Sequence, residues 1–355
     1  MSFALLMLSG CNDKKSEPAS PETPETPDTP ESNVRVKSVT LSKTSCSFIE
    51  LGKTLQLEAT VLPADATNPK VTWTSSNAEV ATVSDEGLIT CKGFGDAIII
   101  ATADGKSATC TVIVIETGTI TDIEGTKYKT VKIGNQWWMA ENLRCNKYDT
   151  ESGRSGAEIP MYTSIDTYGF SAKFDPYCVD ASNKKLWGQN YATEELLQQI
   201  VKLGYLYNWA AAVGLVNESA AKGRTTPFES NRQGICPNGW HVPTVDEWDA
   251  LATAMGDTKK DSGLFSYVGK KMKTTSGWYK GGNGTDDYSF AALPAGYSNF
   301  YGGYVRYVGS SAHFWTSVPY NGDEAYFKVI FDDEDIFTYG HESKATAHSI
   351  RCVMN

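Results

Sequence analysis

Short β-type runs separated by turn-forming residues dominate the chain from Val34 onwards, and they limit the folds that it can adopt. The turn signals include Asp85-Glu86-Gly87 and Asp104-Gly105. Several runs alternate in polarity, so one face becomes apolar. The clearest apolar face comprises Leu55, Leu57, Ala59 and Val61. Seven such runs within residues 34–116 predict an all-β antiparallel sandwich.

The stretch from Ser38 to Val114 resembles the bacterial Ig-like domains of group 2. Its most characteristic segments are Trp73–Asn77 and Val80–Val83. Members of that family are mostly spacers in surface adhesins and exported enzymes. The sequence of this stretch has no catalytic triad or metal-ligand spacing, so the resemblance implies a rigid spacer and not a binding unit.

Proline recurs at every third position in the segment before this domain. These prolines are Pro18, Pro21, Pro24, Pro27 and Pro30. Such spacing opposes both helix and sheet and favours an extended polyproline-like chain. At ~3.1 Å per residue, the segment could extend roughly 60–70 Å. Residues 11–33 are therefore predicted to form a stalk.

The first eleven residues, MSFALLMLSGC, resemble a bacterial lipoprotein signal that ends in a lipobox from Leu8 to Cys11. The resemblance implies a signal peptide over residues 1–10, cleavage before Cys11 and lipidation of that cysteine. The protein would then be exported, lipid-anchored to the bacterial outer membrane and exposed at the cell surface. The alternative is a frayed N-terminus with a chance cysteine.

Residues 118–355 form a second predicted unit that mixes helices and strands. Hairpin turns are expected at Glu124-Gly125 and around Gly134. A helix is expected to begin at Thr193, and a second one at the capping-box pair Thr244 and Glu247. The later part is rich in β-type runs. This unit is therefore predicted to be an α+β domain that ends in an antiparallel sheet.

Six segments give this unit a specific resemblance. They are DIEGTKYKTVKIGNQWWMAENL, LGYLYNWAAA, CPNGWHVPTVDEWDAL, FAALPAGY, FWTS and SIRCV. In this order they resemble the Fibrobacter succinogenes major paralogous domain, which implies a C-type lectin-like fold in an exported surface protein. The unit is also similar to the formylglycine-generating enzymes. Their reactive cysteine pair is not matched, because Cys352 is the only late cysteine. The chain is therefore expected not to be an enzyme.

The segment CPNGWHVPTVDEWDAL contains a possible general base, His241. The chain has 4 histidines, and their spacing does not suggest a metal site. A single histidine without a partnered nucleophile is more often structural. Trp240 and Trp248 are expected to be core rings. The segment is thus predicted to be scaffolding that holds a helix on the sheet.

The 8 cysteines allow several disulfides in an exported protein. The family resemblance implies the pair Cys236–Cys352, because C-type lectin-like folds tie their last strand to an earlier segment. Cys145–Cys178 is a second candidate pair. Cys46, Cys91 and Cys110 are expected on inward faces of the sandwich, where at most one pair can form.

Two stretches are candidate ligand sites. The glycine-rich loop from Ser276 to Phe290 places acids and an amide beside rings that are expected to be exposed, which suits sugar recognition with or without calcium. Its candidate residues are Trp278, Tyr279, Asn283, Asp286 and Asp287. The acidic run Phe331–Phe337 offers Asp332, Asp333 and Asp335 as candidate Ca²⁺ ligands. The alternatives are an Asx-rich turn for the loop and a solvated hairpin tip for the run. The Glu-Pro-Asn and Trp-Asn-Asp signatures of calcium-dependent lectins are absent from the sequence.

The formal net charge of -10 argues against nucleic acid as a partner. The expected function is adhesion, or recognition of a glycan or protein on a cell surface or matrix, through the C-terminal domain. No cofactor is expected other than possible Ca²⁺. Two alternatives stay open. One is a structural subunit that assembles with other subunits of a surface appendage or envelope, and the other is an exported enzyme.

Overall fold

The computed structural model describes residues 33–149, 156–159, 173–174, 202–215, 223–228, 231–298 and 305–355. The predicted signal peptide, the lipidation site Cys11 and nearly all of the stalk lie outside these residues. The expected helix start at Thr193 and the cysteine Cys178 lie outside them as well. In the described ranges, no helix has the length and apolar character needed to cross a bilayer.

Nine strands form the first unit, and its prediction as an Ig-like sandwich is confirmed. They are β1 (Ser38–Leu41), β2 (Ser45–Phe48), β3 (Thr54–Gln56), β4 (Ala59–Leu62), β5 (Thr72–Ser75), β6 (Ala81–Val83), β7 (Leu88–Cys91), β8 (Gly95–Ala103) and β9 (Lys106–Val114). One sheet has the order β2-β9-β8-β5, a second has the order β3-β7-β6, and β1 pairs with β4. Nine strands are present where seven were expected. One reason is that residues 54–62 are divided into β3, which pairs with β7, and β4, which pairs with β1.

The sandwich core lies between its sheets. It is built from alternate residues of the strands, such as Ile89, Ile99 and Val112, and from Leu57 between β3 and β4. Cys91 and Cys110 are buried in it and Cys46 packs against it. All three are free thiols, so no disulfide forms in this unit. Burial of apolar surface therefore stabilises the sandwich without a covalent link.

The second unit is also rich in strands, and its described helices are few and short. The helices are α1 (Trp209–Ala212), α2 (Val245–Ala254) and α3 (Val268–Met272), with a 3₁₀ turn at Tyr279–Gly281. The strands are β10 (Glu116–Thr121), β11 (Lys127–Ile133), β12 (Gln136–Met139), β13 (Lys173–Phe174), β14 (Leu206–Asn208), β15 (Trp240–His241), β16 (Tyr297–Ser298), β17 (Val305–Arg306), β18 (Ser311–Pro319), β19 (Glu324–Phe331), β20 (Phe337–Ser343), β21 (Ala347–His348) and β22 (Val353–Met354).

These strands form three sheets. Their orders are β10-β11-β12-β22-β15, β13-β14-β21-β16-β17 and β18-β19-β20. The first sheet contains both expected hairpins, whose turns carry Gly125 and Gly134 with positive φ angles. β10 begins at Glu116, so Ile115 is the only residue between it and β9. Glu116, expected at the end of the first domain, therefore belongs to a sheet of the second.

Helix α2 packs between two sheets of the second unit in one hydrophobic cluster. Trp248, on its buried face, contacts the rings of Trp138, Phe290 and Phe314, with centroids 4.6, 6.0 and 5.2 Å away. These residues come from β12, from the loop before β16 and from β18. Packing around Trp248 therefore holds the glycine-rich loop and the β18-β19-β20 sheet in fixed positions.

Candidate functional site

The segment CPNGWHVPTVDEWDAL is scaffolding, as predicted. Cys236 and Cys352 form a disulfide, which ties β22 to the loop before β15. Thr244 and Glu247 form the predicted capping box at the start of α2. Trp248 is fully buried in the core. Each distinctive residue of the segment thus fixes the last strand or the helix, as a structural role requires.

His241 is engaged at both ring nitrogens. Its Nδ1 lies 2.7 Å from Oδ1 of Asn355, and its Nε2 lies 2.7 Å from Oε1 of Glu247. The side chain is buried. Hydrogen bonds from His241 and from the Thr244 amide outweigh burial and lower the pKa of Glu247. The histidine therefore braces the start of the helix against Asn355.

The glycine-rich loop holds only one of its two candidate rings at the surface. Trp278 is 5% exposed and packs in the core, with its indole N–H donating to Thr274. Its amide donates to Oδ1 of Asn283. The expectation that both rings are exposed is thus wrong for Trp278, because the loop contributes to the core. Tyr279 is 58% exposed and covers Gly309.

Asp286 and Asp287 of this loop are both tied to the surrounding backbone. Asp286 accepts a hydrogen bond from the amide of Ala291, in a left-handed turn with φ 48°. Burial raises the pKa of its carboxyl to about 6. The amide of Asp287 donates to the carbonyl of Lys271. Asn283 and Asp286 thus satisfy amides of the loop itself, as in an Asx-rich turn.

A lysine lies where the acidic run Phe331–Phe337 was expected to hold calcium. The buried ammonium of Lys273 donates to the carbonyls of Phe331 and Glu334, at 3.2 and 2.9 Å. It also lies 3.6 Å from a carboxylate oxygen of Asp335. Among the described residues, Asp332, Asp333 and Asp335 do not form a group of potential metal ligands within 4.8 Å of one another. The turn therefore has an internal cation at the position proposed for Ca²⁺.

Two more buried cations bind loop carbonyls in the same way. Lys344 donates to the carbonyls of Arg224, Asn321 and Gly322 at 2.7–2.9 Å. Arg351 donates to the carbonyls of Met139, Phe290 and Ala291 and to Oδ1 of Asn142. Burial lowers the pKa of Lys344 to about 8 and that of Arg351 to about 9. These side chains replace bulk water as partners of the loop backbone.

The group Asp122, Glu124 and Cys145 brings three potential metal ligands within 4.8 Å of one another. Its acids already accept hydrogen bonds. Asp122 accepts from the Tyr128 hydroxyl, and Glu124 accepts from the Asn146 amide. The Cys145 thiol is free among the described residues, and burial raises its pKa. Its candidate partner Cys178 lies outside these residues. Asp122 also accepts the amides of Glu124 and Thr126, so the group locks the β10–β11 turn.

Four aromatic side chains at one edge of the β18-β19-β20 sheet form a surface that we call the aromatic strip. Its members are Tyr320, Tyr326, Tyr339 and His341. Tyr326 on β19 lies directly opposite His341 on β20, and Tyr339 lies two residues away on the same face. Tyr320 stacks on His341 with centroids 3.8 Å apart. The only sequence signal was polarity alternation in EAYFKVIF and FTYGHES.

The strip is exposed although the rest of its sheet face is covered. Tyr320 is 45% exposed, Tyr339 is 38% exposed, and the His341 side chain is 42% exposed. The same face is covered beside the strip, where Lys328 pairs with Asp249 of α2 at 2.5 Å. Helix α2 therefore shields one part of the face and leaves the rings beyond it at the surface.

A buried histidine pair lies on the opposite face of this sheet. The rings of His313 and His348 stack with centroids 5.2 Å apart. In the part of the chain that the structure describes, the Nδ1 atom of each lacks a hydrogen-bond partner. Burial lowers the pKa of both, that of His313 well below its usual value, while Glu342 opposes the shift at His348. Both rings are therefore neutral at neutral pH.

Two protein families and several known proteins are similar to parts of this chain. A family described as the Fibrobacter succinogenes major domain matches residues 131–354, and the bacterial Ig-like domain (group 2) matches residues 35–112. Kappa-carrageenase of Pseudoalteromonas carrageenovora is 42% identical over 73 residues, which cover 21% of this chain and 18% of that protein. Lacto-N-biosidase of Bifidobacterium bifidum is 46% identical over 69 residues, which cover 19% of this chain and 6% of that protein.

The chain thus spans less than a fifth of the length of these two curated relatives. Among solved structures, a fimbrial protein from Bacteroides ovatus ATCC 8483 aligns over 90% of this chain and 71% of its own, with 10% identity and a TM-score of 0.24. That score is too low to support an argument. The first family match covers well over half of the chain, and the order of the two matches is the predicted one. The protein therefore belongs to the Fibrobacter succinogenes major domain family.

Proposed function

We propose that this protein is a lipid-anchored surface protein whose C-terminal domain recognises a glycan or a protein, in adhesion or a related process. The Ig-like domain and the Cys236–Cys352 disulfide support an exported or surface location, because disulfides persist in oxidising compartments. In this proposal, acylated Cys11 and the stalk carry the folded units away from the outer membrane.

The aromatic strip is the observation that carries the recognition role. Large rings at the surface of a folded domain supply contact area at low entropic cost, and tyrosine is enriched at binding sites. The strip lies in the second unit, which follows the sandwich after one residue, Ile115. The Ig-like unit would thus act as a spacer that presents the second unit.

The proposed role is binding and not catalysis. His241 is committed to Glu247 and Asn355, and the candidate acids of the glycine-rich loop hold backbone amides. These contacts support a scaffold that presents a surface. They do not provide the free acid and base that hydrolysis would require.

The test probes an array of glycans and matrix proteins with the full-length protein, with calcium and with chelator. Selective binding to any glycan or protein supports the proposal. If the protein binds nothing on the array, and if it forms ordered polymers or co-purifies with envelope subunits, the proposal is contradicted and the structural-subunit alternative is supported. Protease accessibility on intact cells, compared with that in lysed cells, tests the surface location separately.

A further inference from the structure

We infer that the aromatic strip binds a neutral saccharide, with its rings packing on the C–H faces of the sugar and Glu324 accepting hydrogen bonds from its hydroxyl groups. This inference rests on the proposed recognition function and names its site and ligand class. In this inference the ligand site is the aromatic strip, and not the glycine-rich loop or the acidic run that the sequence predicted.

The ring spacing supports a chain of sugar units. The Tyr320 centroid lies 5.3 Å from that of Tyr326, and the Tyr326 centroid lies 5.8 Å from that of Tyr339. Both distances are comparable with the length of one pyranose unit. The ring planes of Tyr320 and Tyr326 are inclined at 77°, and those of Tyr326 and Tyr339 at 73°, so the strip is not a flat surface. A short oligosaccharide can contact more than one ring at a time.

A hydrogen-bond acceptor lies beside the rings. Oε2 of Glu324 accepts from the Asn321 amide at 2.8 Å and lies 3.2 Å from Nδ1 of His341. Among the described residues, Oε1 of Glu324 has no hydrogen-bond partner. A carboxylate is a strong acceptor for hydroxyl groups. The strip therefore combines apolar ring faces with a polar group, as sugar recognition requires.

The turn that carries Tyr320 and Glu324 is held rigidly. Oδ1 of Asn321 accepts the amides of Asp323 and Glu324, both at 2.8 Å. Lys344 binds the carbonyls of Asn321 and Gly322 from inside the domain. Little conformational entropy remains to be lost on binding, so the arrangement is preorganised for a ligand.

The charges around the strip favour a neutral ligand. Asp323 and Glu324 are acidic, and the nearby cations Lys259 and Lys328 both pair with Asp249 at 2.5 Å. A sulfated or uronic-acid sugar would be repelled by these acids and by the net charge of -10. The strip also comprises only four rings, whereas a stable protein interface buries about 800 Å² per partner. A neutral oligosaccharide fits these limits best.

The experiment titrates the full-length protein with neutral hexasaccharides of glucose, mannose, galactose and xylose, and follows binding by calorimetry. The variants are Tyr320→Ala, Tyr339→Ala and Glu324→Gln, with Tyr320→Phe as the conservative form. Tyr267→Ala is the matched control, because Tyr267 is an exposed tyrosine outside the strip. Thermal unfolding shows whether each variant folds.

We expect at least one hexasaccharide to bind the wild type. The two alanine variants should bind about tenfold more weakly, as expected for the loss of one stacked ring. Tyr320→Phe and Tyr267→Ala should retain binding. Equal binding by wild type and both alanine variants would overturn the inference and leave the proposed function standing. Binding of a protein but of no hexasaccharide would also overturn the inference and leave the proposed function standing. Failure to bind any glycan or protein would overturn both.

Discussion

The ammonium of Lys273 donates a 2.9 Å hydrogen bond to the carbonyl of Glu334 from a buried position. This contact joins α3 to the acidic turn between β19 and β20 and places a positive charge inside that turn. Lys344 and Arg351 act similarly on other loops. The second unit therefore stabilises its long connections with side-chain cations that the chain itself supplies.

Replacement of Lys273 by Met is expected to lower the free energy of unfolding by about 1–3 kcal/mol, because buried carbonyls lose their partner. Urea unfolding midpoints measure the change. Lys270→Met is the matched control, since Lys270 is exposed on the same helix, and it should change stability by less than about 0.5 kcal/mol. Equal midpoints for the two variants would contradict the role given to Lys273.

Calcium is expected to leave the melting temperature of the wild type unchanged relative to chelator. The reason is that Lys273 already neutralises the turn that carries Asp332 and Asp335. A ligand that binds only the folded state would raise the melting temperature. If calcium raises it in the wild type but not in the Asp332→Asn/Asp335→Asn variant, the original calcium-site prediction is right and the present one is wrong.

Loss of the Cys236–Cys352 disulfide is expected to destabilise the protein by about 2–5 kcal/mol, because the bond closes a long loop in the unfolded chain. The two cysteines are 116 residues apart. The Cys236→Ser/Cys352→Ser variant should unfold at lower urea concentration. A reductant should lower the midpoint of the wild type and leave that of the variant unchanged. A drop of equal size in both would point to another bond.

Acid is expected to destabilise the second unit through His313 and His348. Their pKa values in the folded state lie below the unfolded value of about 6.5. Between the folded and unfolded values, the unfolded chain binds more protons. Stability is therefore complete above about pH 6.5 and falls as the pH decreases, by at most about 1.4 kcal/mol per pH unit for each histidine.

Unfolding midpoints between pH 5 and 8 measure this dependence. A His313→Phe variant should show a shallower slope, because one buried titrating group is gone. A slope that is identical in the wild type and the variant would rule out the buried pair as its source.

Local sequence patterns predicted the parts of the structure that depend on neighbouring residues. The capping box of Thr244 and Glu247 is one example, since three positions of spacing define it. The hairpin at Gly125 is another. The Cys236–Cys352 bond followed from family resemblance and not from spacing. The capping box and the hairpin require no knowledge of how distant segments pack.

The aromatic strip could not be predicted in the same way. It depends on the register that places Tyr326 opposite His341, and on the turn that brings Tyr320 onto the same ring. The prediction that Trp278 is exposed was wrong because exposure, too, depends on packing that the sequence does not show. A tryptophan in a glycine-rich loop has the same sequence signature whether the loop faces water or folds into the core. Only the packing of remote strands distinguishes the two.

The pairing of β2 with β9 has a mechanical consequence. These strands run parallel, with Ser45 opposite Thr111 and Phe48 opposite Val114. They lie near the two ends of the Ig-like unit, and Ile115 passes directly into β10. Tension between an anchored N-terminus and a bound C-terminal domain would load all hydrogen bonds between β2 and β9 in shear at once. If the two strands were antiparallel, the same tension would break these bonds one at a time. We expect force spectroscopy to find a high unfolding force for this unit, and a low force would show that other contacts yield first.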